Sequence, residues 1–239
     1  MQTYTDNTLL ENGLTFGKLR SNVQAIQTTL SQNTYHDSPP PQLIAVTKNQ
    51  SPLTINALKE LQIMDIGENK VQIATKKMQK LDKNFQLHWI GRLQSNKVRS
   101  IIDSVCMIHT LDRISLVEEV NRRAGDIGRT IPSLVQINIA GETQKGGLAP
   151  EEARTFLQHM HNYPHVKIMG LMSIMPLDAS EDALTSLFAR MRILFDTLRQ
   201  EAVDGVEMKT LSMGMSMDYA LAARQGATMV RIGTALFKP

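Results

Sequence analysis

The 239-residue sequence predicts a single (β/α)8 barrel of the TIM type, and two observations carry that prediction. Eight short apolar runs rich in β-branched residues recur along the chain, and seven of them are followed within a few residues by a helical pattern. Such alternation is typical of a parallel sheet with crossover helices. Eight units in roughly 200–250 residues match the size of a closed barrel, and a doubly wound open sheet is the alternative because counting strands does not prove closure.

The first 41 residues are predicted to lie outside the barrel. Residues 1–12 are polar, and we expect them to be frayed. Four apolar residues then recur at helical spacing and indicate one amphipathic helix, namely Leu19, Val23, Ile26 and Leu30. The run Ser38–Pro41 ends that helix, because proline cannot continue a helix and restrains the residue before it. We therefore divide the chain into an N-terminal helical segment with a proline-rich connection, residues 1–41, and a barrel, residues 42–239.

The composition is that of an ordinary globular protein. Lys and Arg number 26 against 23 Asp and Glu, and aromatic residues make up 5 % of the chain. This balance argues against a nucleic-acid-binding surface. No apolar stretch approaches membrane-spanning length, and no signal-peptide pattern opens the chain, so we expect no membrane partner. The single cysteine, Cys106, excludes an intramolecular disulfide, and we expect a cytoplasmic protein.

Lys48 is the polar residue with the clearest chemical potential. It directly follows the first predicted strand, residues 43–47, and precedes a helix start at Ser51. The carboxyl ends of the strands form the active face of such a barrel. A lysine there can form an imine with a carbonyl group. The plainer interpretation is a lysine that ends a strand and reaches water.

The last two βα units predict an anion-binding site. Gly214 lies in the turn after the seventh strand, and Ser216 stands where a helix N-cap is expected. Gly233 and Thr234 follow the eighth strand. Two glycine turns with free amides and hydroxyl donors are suited to a phosphate group. Barrel closure places this site beside the first strand, and an imine lysine next to a phosphate site describes a site for pyridoxal 5′-phosphate (PLP).

Arg231 lies within the last predicted strand and is expected to point into the barrel. A cation facing the pyridine nitrogen of PLP keeps that nitrogen unprotonated, which weakens the ring as an electron sink. No spacing of His, Asp or Glu suggests a metal, and no Ser-His-Asp arrangement is visible. The six histidines are scattered, and we interpret all of them as structural or surface residues.

Seven motifs together resemble the YggS/PROSC family of PLP-binding proteins, also called PLP homeostasis proteins. They span nearly the whole chain after Pro41: LIAVTK (43–48), IGENKVQ (66–72), HWIGRLQSNK (88–97), VQINIAGETQKGGL (135–148), GLMSI (170–174), LSMGMS (211–216) and VRIGTALF (230–237). The resemblance implies the barrel domain of the alanine racemase type, PLP fold type III, standing alone. The sequence departs from the family pattern at Lys70, Ile73 and Met217, which are expected at the rim of the barrel.

The resemblance also assigns cofactor-binding roles residue by residue. It implies that Lys48 forms the covalent imine with PLP and that Arg231 is the partner of the pyridine nitrogen. The remaining positions hold the phosphate or line the pocket: Ser216, Gly233 and Thr234 for the phosphate, and Asn69, Ser173 and Met213 for the pocket. By the same resemblance, PLP-dependent apo-enzymes are expected recipients of the cofactor. No long exposed apolar stripe is evident, so we expect a monomer.

Two functions from different classes fit these observations. The favoured one is a non-catalytic PLP protein that controls free cofactor and the balance of amino and keto acids. The alternative is a PLP-dependent amino-acid racemase, which needs a second acid or base opposite the imine. In the related racemases that group is a tyrosine from a second domain, and no tyrosine of this chain is an obvious counterpart. A third alternative is a barrel that binds a sugar phosphate through an aldolase-type imine at Lys48.

Overall fold

The computed structural model describes residues 4–142 and 145–239. The chain begins with a two-stranded antiparallel hairpin of β1 (Leu9–Glu11) and β2 (Leu14–Thr15). Asn12 and Gly13 form its turn with φ of 52° and 81°, the left-handed pair that a two-residue hairpin loop requires. The prediction of a frayed start is therefore wrong for residues 9–11, and its first three residues lie outside the described part.

Helix α1 (Phe16–Gln32) follows the hairpin and confirms the predicted amphipathic pattern. The hydroxyl of Thr15 accepts a hydrogen bond from the amide of Lys18 at 3.2 Å and caps the helix. Its buried face includes the four apolar residues that predicted it, and that face belongs to the same core cluster as the barrel strands. The division of the chain at residue 41 stays a prediction.

Eight parallel strands close into a barrel in the order β10-β3-β4-β5-β6-β7-β8-β9. Closure rests on the pairing of the last strand with the first, in which Arg231 lies opposite Ile44. The predicted barrel is therefore confirmed, and the open-sheet alternative is wrong. The strands are β3 (Gln42–Val46), β4 (Asp65–Glu68), β5 (Gln86–Trp89), β6 (Val105–Leu111), β7 (Ile131–Gln136), β8 (Val166–Met172), β9 (Val206–Ser212) and β10 (Met229–Ile232).

Helices connect the strands on the outside of the barrel. Helix α2 begins as predicted, with Ser51 accepting from the amide of Thr54 and Pro52 in the first turn. A 3-10 helix, Ser95–Ser100, stands in place of an α-helix after β5. None of the helices in the described part of the chain is long and apolar enough to cross a membrane. The α-helices are α2 (Pro52–Ala57), α3 (Val71–Met78), α4 (Ile114–Asp126), α5 (Ala153–Gln158), α6 (Glu181–Gln200) and α7 (Tyr219–Arg224).

Alternation along the strands decides which side chains enter the barrel. Residues paired across neighbouring parallel strands face the same side of the sheet, and every second residue of a strand shares that side. Gly67 pairs with His88, and Arg231 pairs with Ile44. Asp65 lies two residues before Gly67, so its side chain points to the same side of the sheet as that of His88. The interior of this barrel is therefore partly polar and partly charged.

Cys106 lies on β6 and is half-buried. Burial, reinforced by the negative charge of Asp65, raises the pKa of its thiol to about 12. Because the thiolate is the nucleophilic form of cysteine, this thiol is unreactive near neutral pH. Cys106 is therefore a strand residue outside the candidate site.

Candidate functional site

The mouth of the barrel lies at the carboxyl ends of the strands, and Lys48 is in the turn directly after β3. Its side chain is exposed, and within residues 4–142 and 145–239 its ammonium makes no hydrogen bond or ion pair. The neighbouring turn after β10 approaches closely, because a Cβ atom placed on Gly233 would lie 3.3 Å from the carbonyl oxygen of Val46. The phosphate-type loop therefore lies beside the strand that presents Lys48.

Two other lysines near the mouth are already engaged. The ammonium of Lys77 donates to the carboxylate of Glu68 at 2.9 Å and to the carbonyl of Thr47 at 2.7 Å. The ammonium of Lys145 donates to the carbonyl of Met175 at 2.9 Å. An amine held by such contacts must lose them before it can react with a ligand. Lys48 is thus the lysine of the three whose amine is available.

Ser216 lies in the turn after β9, and its hydroxyl faces the neighbouring loop after β10. Its Oγ accepts from the backbone amide of Gly233 at 3.3 Å and from that of Ala235 at 3.2 Å. The prediction that Ser216 caps α7 is wrong, because Asp218 occupies the N-cap position. The carboxylate of Asp218 binds the amide of Met215, which leaves the Ser216 hydroxyl free to meet the other loop. The two glycine turns of the predicted anion site therefore lie side by side, joined by these hydrogen bonds.

Asn69 and Ser173 each carry a buried polar atom that has no hydrogen-bond partner among the described residues. These atoms are Asn69 Oδ1 and Ser173 Oγ. Leaving a buried polar atom unpaired costs about 1–3 kcal/mol. Asn69 is held tightly, because a Cβ atom on Gly91 would lie 2.6 Å from its Cβ atom. Both residues therefore offer unused hydrogen-bonding capacity at the mouth, as expected for groups that receive a polar ligand.

Arg231 is buried in the barrel interior, as predicted, with 3 % of its surface exposed. Its guanidinium donates to Ser212 Oγ at 2.7 Å and to the carbonyl oxygen of Ser173 at 2.8 Å. Burial lowers the pKa of Arg231 to about 10, and the negative charge of Asp218 partly opposes that shift. Arg231 therefore remains a cation at neutral pH. Met213 is fully buried after β9 and belongs to the hydrophobic core.

Two histidines interpreted as structural or surface residues form a hydrogen-bonded line through the barrel. His88 Nδ1 lies 3.0 Å from His109 Nε2, and His109 Nδ1 lies 3.2 Å from Ser212 Oγ. His88 Nε2 lies 2.9 Å from Asp65 Oδ1. Burial above all holds the pKa of His109 well below its usual range, and the positive charge of Arg231, with that of His88 when its ring is protonated, acts in the same direction. The sequence offered one signal for this contact: His88 lies in a predicted strand and His109 directly follows another, and every second side chain of a strand points into the barrel.

The structure thus brings together part of the predicted set. Ser216 contacts Gly233, and Arg231 contacts Ser173. Thr234 is exposed in the turn beside them. No hydrogen bond joins Lys48 to this group in the part of the chain that the structure describes. Across residues 4–142 and 145–239, no three His, Cys, Asp or Glu side chains are placed to share a metal ion.

The fold and the mouth define a (β/α)8 barrel protein with an exposed lysine amine beside two hydrogen-bonded glycine turns. The sequence profile described as "Alanine racemase, N-terminal domain" matches residues 15–239. A pyridoxal phosphate homeostasis protein of Aquifex aeolicus is 38 % identical over 196 residues, covering 82 % of this chain and 85 % of that protein. The chain therefore belongs to the pyridoxal phosphate homeostasis proteins, within the alanine racemase N-terminal domain family, which confirms the resemblance.

Solved structures agree with this assignment. PipY of Synechococcus elongatus with PLP bound has a TM-score of 0.80 at 32 % identity, covering 92 % of this chain and 99 % of that one. An alanine racemase of Clostridium difficile has a TM-score of 0.74 at 15 % identity, covering 91 % of this chain and 56 % of that one. At that identity the racemase supports the fold alone.

Proposed function

We propose that this protein binds PLP at the barrel mouth and serves PLP homeostasis without catalytic turnover. The observation that carries the proposal is the pair of buried, unpartnered polar atoms on Asn69 and Ser173, which lie at the same mouth as the free amine of Lys48. The relatives named as PLP homeostasis proteins and the PLP-bound PipY structure support it. The residues present fit the cofactor, because they supply an amine, an anion site and a buried cation.

Each residue has a distinct proposed role toward the cofactor. When bound, PLP supplies an aldehyde that condenses with an amine and a ring that withdraws electrons. Lys48 provides the amine that holds the cofactor covalently. Ser216, Gly233 and Thr234 hold the phosphate, and the amide of Gly233 exchanges its hydrogen bond to Ser216 Oγ for one to the phosphate. Arg231 faces the pyridine nitrogen, and the pocket is lined by Asn69, Ser173 and Met213.

The buried guanidinium of Arg231 favours storage of the cofactor over turnover. With its pKa at about 10, the group keeps its proton at pH 7 and donates a hydrogen bond without giving the proton away. A ring nitrogen that only accepts a hydrogen bond withdraws electrons less strongly than a protonated one. The site therefore binds the cofactor while supporting carbanion chemistry poorly.

Purified protein mixed with PLP is expected to develop a visible absorbance band and to retain one PLP per chain after gel filtration. Borohydride treatment is expected to fix that PLP covalently, and intact-mass spectrometry measures the adduct. Protein that shows neither colour nor bound PLP would contradict the proposal. That result would favour the third alternative, in which Lys48 forms an aldolase-type imine with a sugar phosphate.

Racemisation is the second candidate function, and the match to the alanine racemase N-terminal domain is the observation that favours it. A racemase needs a second acid or base on the opposite face of the cofactor. Tyr4 donates to the carbonyl of Leu53, which lies in α2 on the outside of the barrel. Tyr219 is half-buried at the start of α7 and is the tyrosine nearest in sequence to the anion site.

Incubation of the PLP-loaded protein with L-alanine or L-serine is therefore expected to yield no D-enantiomer above the level of PLP alone. Chiral chromatography measures the product. Turnover of about 1 s⁻¹ or faster, in the range of ordinary enzymes, would overturn the non-catalytic proposal. Loss of that turnover in Tyr219→Phe would then assign the second base.

We further propose that the protein is a cytoplasmic monomer that passes PLP to PLP-dependent apo-enzymes. The supporting observation is that similar proteins are named pyridoxal phosphate homeostasis proteins. Sedimentation of the loaded protein tests the monomer. Reactivation of a PLP-free aminotransferase by the loaded protein, at a rate above that of spontaneous PLP release, tests the transfer.

A further inference from the structure

A line of four hydrogen bonds crosses the barrel interior from its bottom to the mouth. It runs from Asp65, the first residue of β4, through His88, His109 and Ser212 to Arg231. The histidines and Arg231 are at most 3 % exposed. Bulk water therefore cannot satisfy these groups, and each depends on its neighbours in the line.

Asp65 anchors the lower end of the line as a carboxylate. Burial raises the pKa of Asp65, but hydrogen bonds from His88 and Gln42 outweigh that cost and leave the pKa below its usual value. Asp65 also lines a cleft of about 560 Å³ between α1 and the bottom of the barrel, which gives its side chain access to water. An ionised carboxylate only accepts hydrogen bonds, so His88 must carry its proton on Nε2.

The remaining bonds then acquire a single direction when His88 is neutral. A neutral imidazole with its proton on Nε2 accepts at Nδ1, so His109 donates from Nε2. His109 is neutral because burial holds its pKa well below the usual range, and its Nδ1 must therefore accept. Ser212 donates its hydroxyl proton to that nitrogen and keeps its lone pairs for the guanidinium of Arg231.

The opposite direction requires a second positive charge inside the barrel. If His109 accepted at Nε2, His88 would carry protons on both nitrogens and become a cation. His109 would then donate to Ser212, whose oxygen can accept from both His109 and Arg231 but whose own proton would have no acceptor in the line. The Asp65 carboxylate would attract that cation, but burial penalises its charge and the positive charge of Arg231 repels it. The arrangement with a neutral His88 also gives the Ser212 hydroxyl proton an acceptor, and it is the arrangement on which the proposal rests.

We propose that His88 and His109 are positioning residues that hold Ser212 as the hydrogen-bond acceptor of Arg231, with Asp65 as the remote carboxylate that fixes the direction of the line. The line thereby holds the guanidinium through neutral partners, and the negative charge that acts on Arg231 is that of Asp218. The consequence for PLP binding rests on the proposed function, whereas the direction of the line does not.

The direction is tested on cofactor-free protein with ¹⁵N-labelled histidine. Single His88→Gln and His109→Gln variants assign the ring signals by NMR at pH 7.5. We expect both rings to carry their proton on Nε2, with a pyridine-type signal for each Nδ1. A pyrrole-type Nδ1 signal from His109 would overturn the proposal, whether or not the protein binds PLP.

The positioning role is tested by titrating PLP into matched variants and recording the absorption band. His109→Leu removes both bonds of that ring, and Ser212→Ala removes the acceptor. Each is expected to weaken PLP binding about 10–100-fold and to shift the band, since a hydrogen bond to a charged group is lost. His109→Asn keeps an oxygen that can accept from Ser212, and it is expected to stay within about 3-fold of the native protein.

Asp65→Asn distinguishes an effect of the hydrogen-bonded line from an effect of core packing. The substitution keeps the size of the side chain and lies at the end of the barrel opposite the mouth. We expect it to shift the absorption band and to weaken binding about 3–10-fold, since an amide can donate to His88 and reverse the line. Asp204→Asn, an exposed carboxylate exchange, is the control and should change neither quantity. If the variants lose thermal stability but keep the native affinity for PLP and the native absorption band, the line contributes only to core packing. That result would overturn the proposal.

Discussion

Replacing Lys48 with alanine is expected to abolish the borohydride-fixed PLP adduct completely. Lys48 offers an exposed amine without a partner in the described structure, whereas Lys77 and Lys145 are held by carbonyl or carboxylate oxygens. The variant retains the phosphate site and Arg231, so PLP should still bind, reversibly and more weakly. Intact-mass spectrometry after borohydride measures the adduct, and equilibrium dialysis measures the residual binding.

Two lysine exchanges control for non-specific reaction. Lys70→Ala removes an exposed lysine just before α3, and Lys145→Ala removes the ammonium bonded to Met175. Both are expected to keep one adduct per chain. An undiminished adduct in Lys48→Ala would move the covalent contact to another lysine. The stability of Lys48→Ala should equal that of the native protein, because surface substitutions away from special features change stability by about 0.5 kcal/mol or less.

The sequence was sufficient to predict the barrel because its evidence is local and repeated. Each strand is an apolar run, and each helix carries its own periodicity or cap, as Ser51 and Pro52 show for α2. The number of units favoured a closed barrel without proving closure, and the pairing of Arg231 with Ile44 confirms it. Positions at strand ends, such as Lys48, were predictable for the same reason, since the topology alone places them at the mouth.

What the sequence did not reveal depends on distant contacts. His109 meets His88 across 21 residues and Ser212 across 103, and no local pattern encodes either contact. Ser216 was predicted to cap α7 because residue type alone does not distinguish it from other N-cap residues nearby. Asp218, two residues later, is the N-cap residue in the structure. The hairpin at Asn12 and Gly13, by contrast, has a local signal that the prediction of a frayed start overlooked, since Asn-Gly is a strong turn signal.

Replacing Arg231 with glutamine is expected to weaken PLP binding about 100-fold or more. The variant loses the cation that faces the pyridine nitrogen in our proposal, and it releases Ser212 and the carbonyl of Ser173 from their donors. Calorimetric titration with PLP measures the affinity. The absorption band of any bound cofactor should also move, because the charge beside the ring is gone.

Arg224→Gln is the matched control for this exchange. Arg224 is at the end of α7, where it donates to the side chain of Asn33 near the surface. Its replacement removes one guanidinium from the same part of the chain without touching the barrel interior. Native affinity in Arg231→Gln, or an equal loss in Arg224→Gln, would contradict the role given to Arg231.

The stability of Arg231→Gln should depend on pH through Asp218. Burial raises the pKa of Asp218, and the hydrogen bond from Met215 and the positive charge of Arg231 hold that rise in check. Without the guanidinium the pKa rises further. An acid whose pKa is raised in the folded state destabilises the fold when ionised, and that cost disappears as pH falls through its folded pKa.

Arg231→Gln should therefore be least stable, relative to the native protein, at pH 7 to 8, and the difference should narrow by on the order of 1 kcal/mol toward pH 4. Burying the charge of Arg231 costs free energy, and the variant recovers that cost. The difference in the free energy of unfolding at any one pH is therefore expected to be small, but it should still vary with pH. Urea unfolding of both proteins across this range measures the difference. A difference that is constant with pH would mean that Arg231 does not act on Asp218, and that the two charges at the mouth are independent.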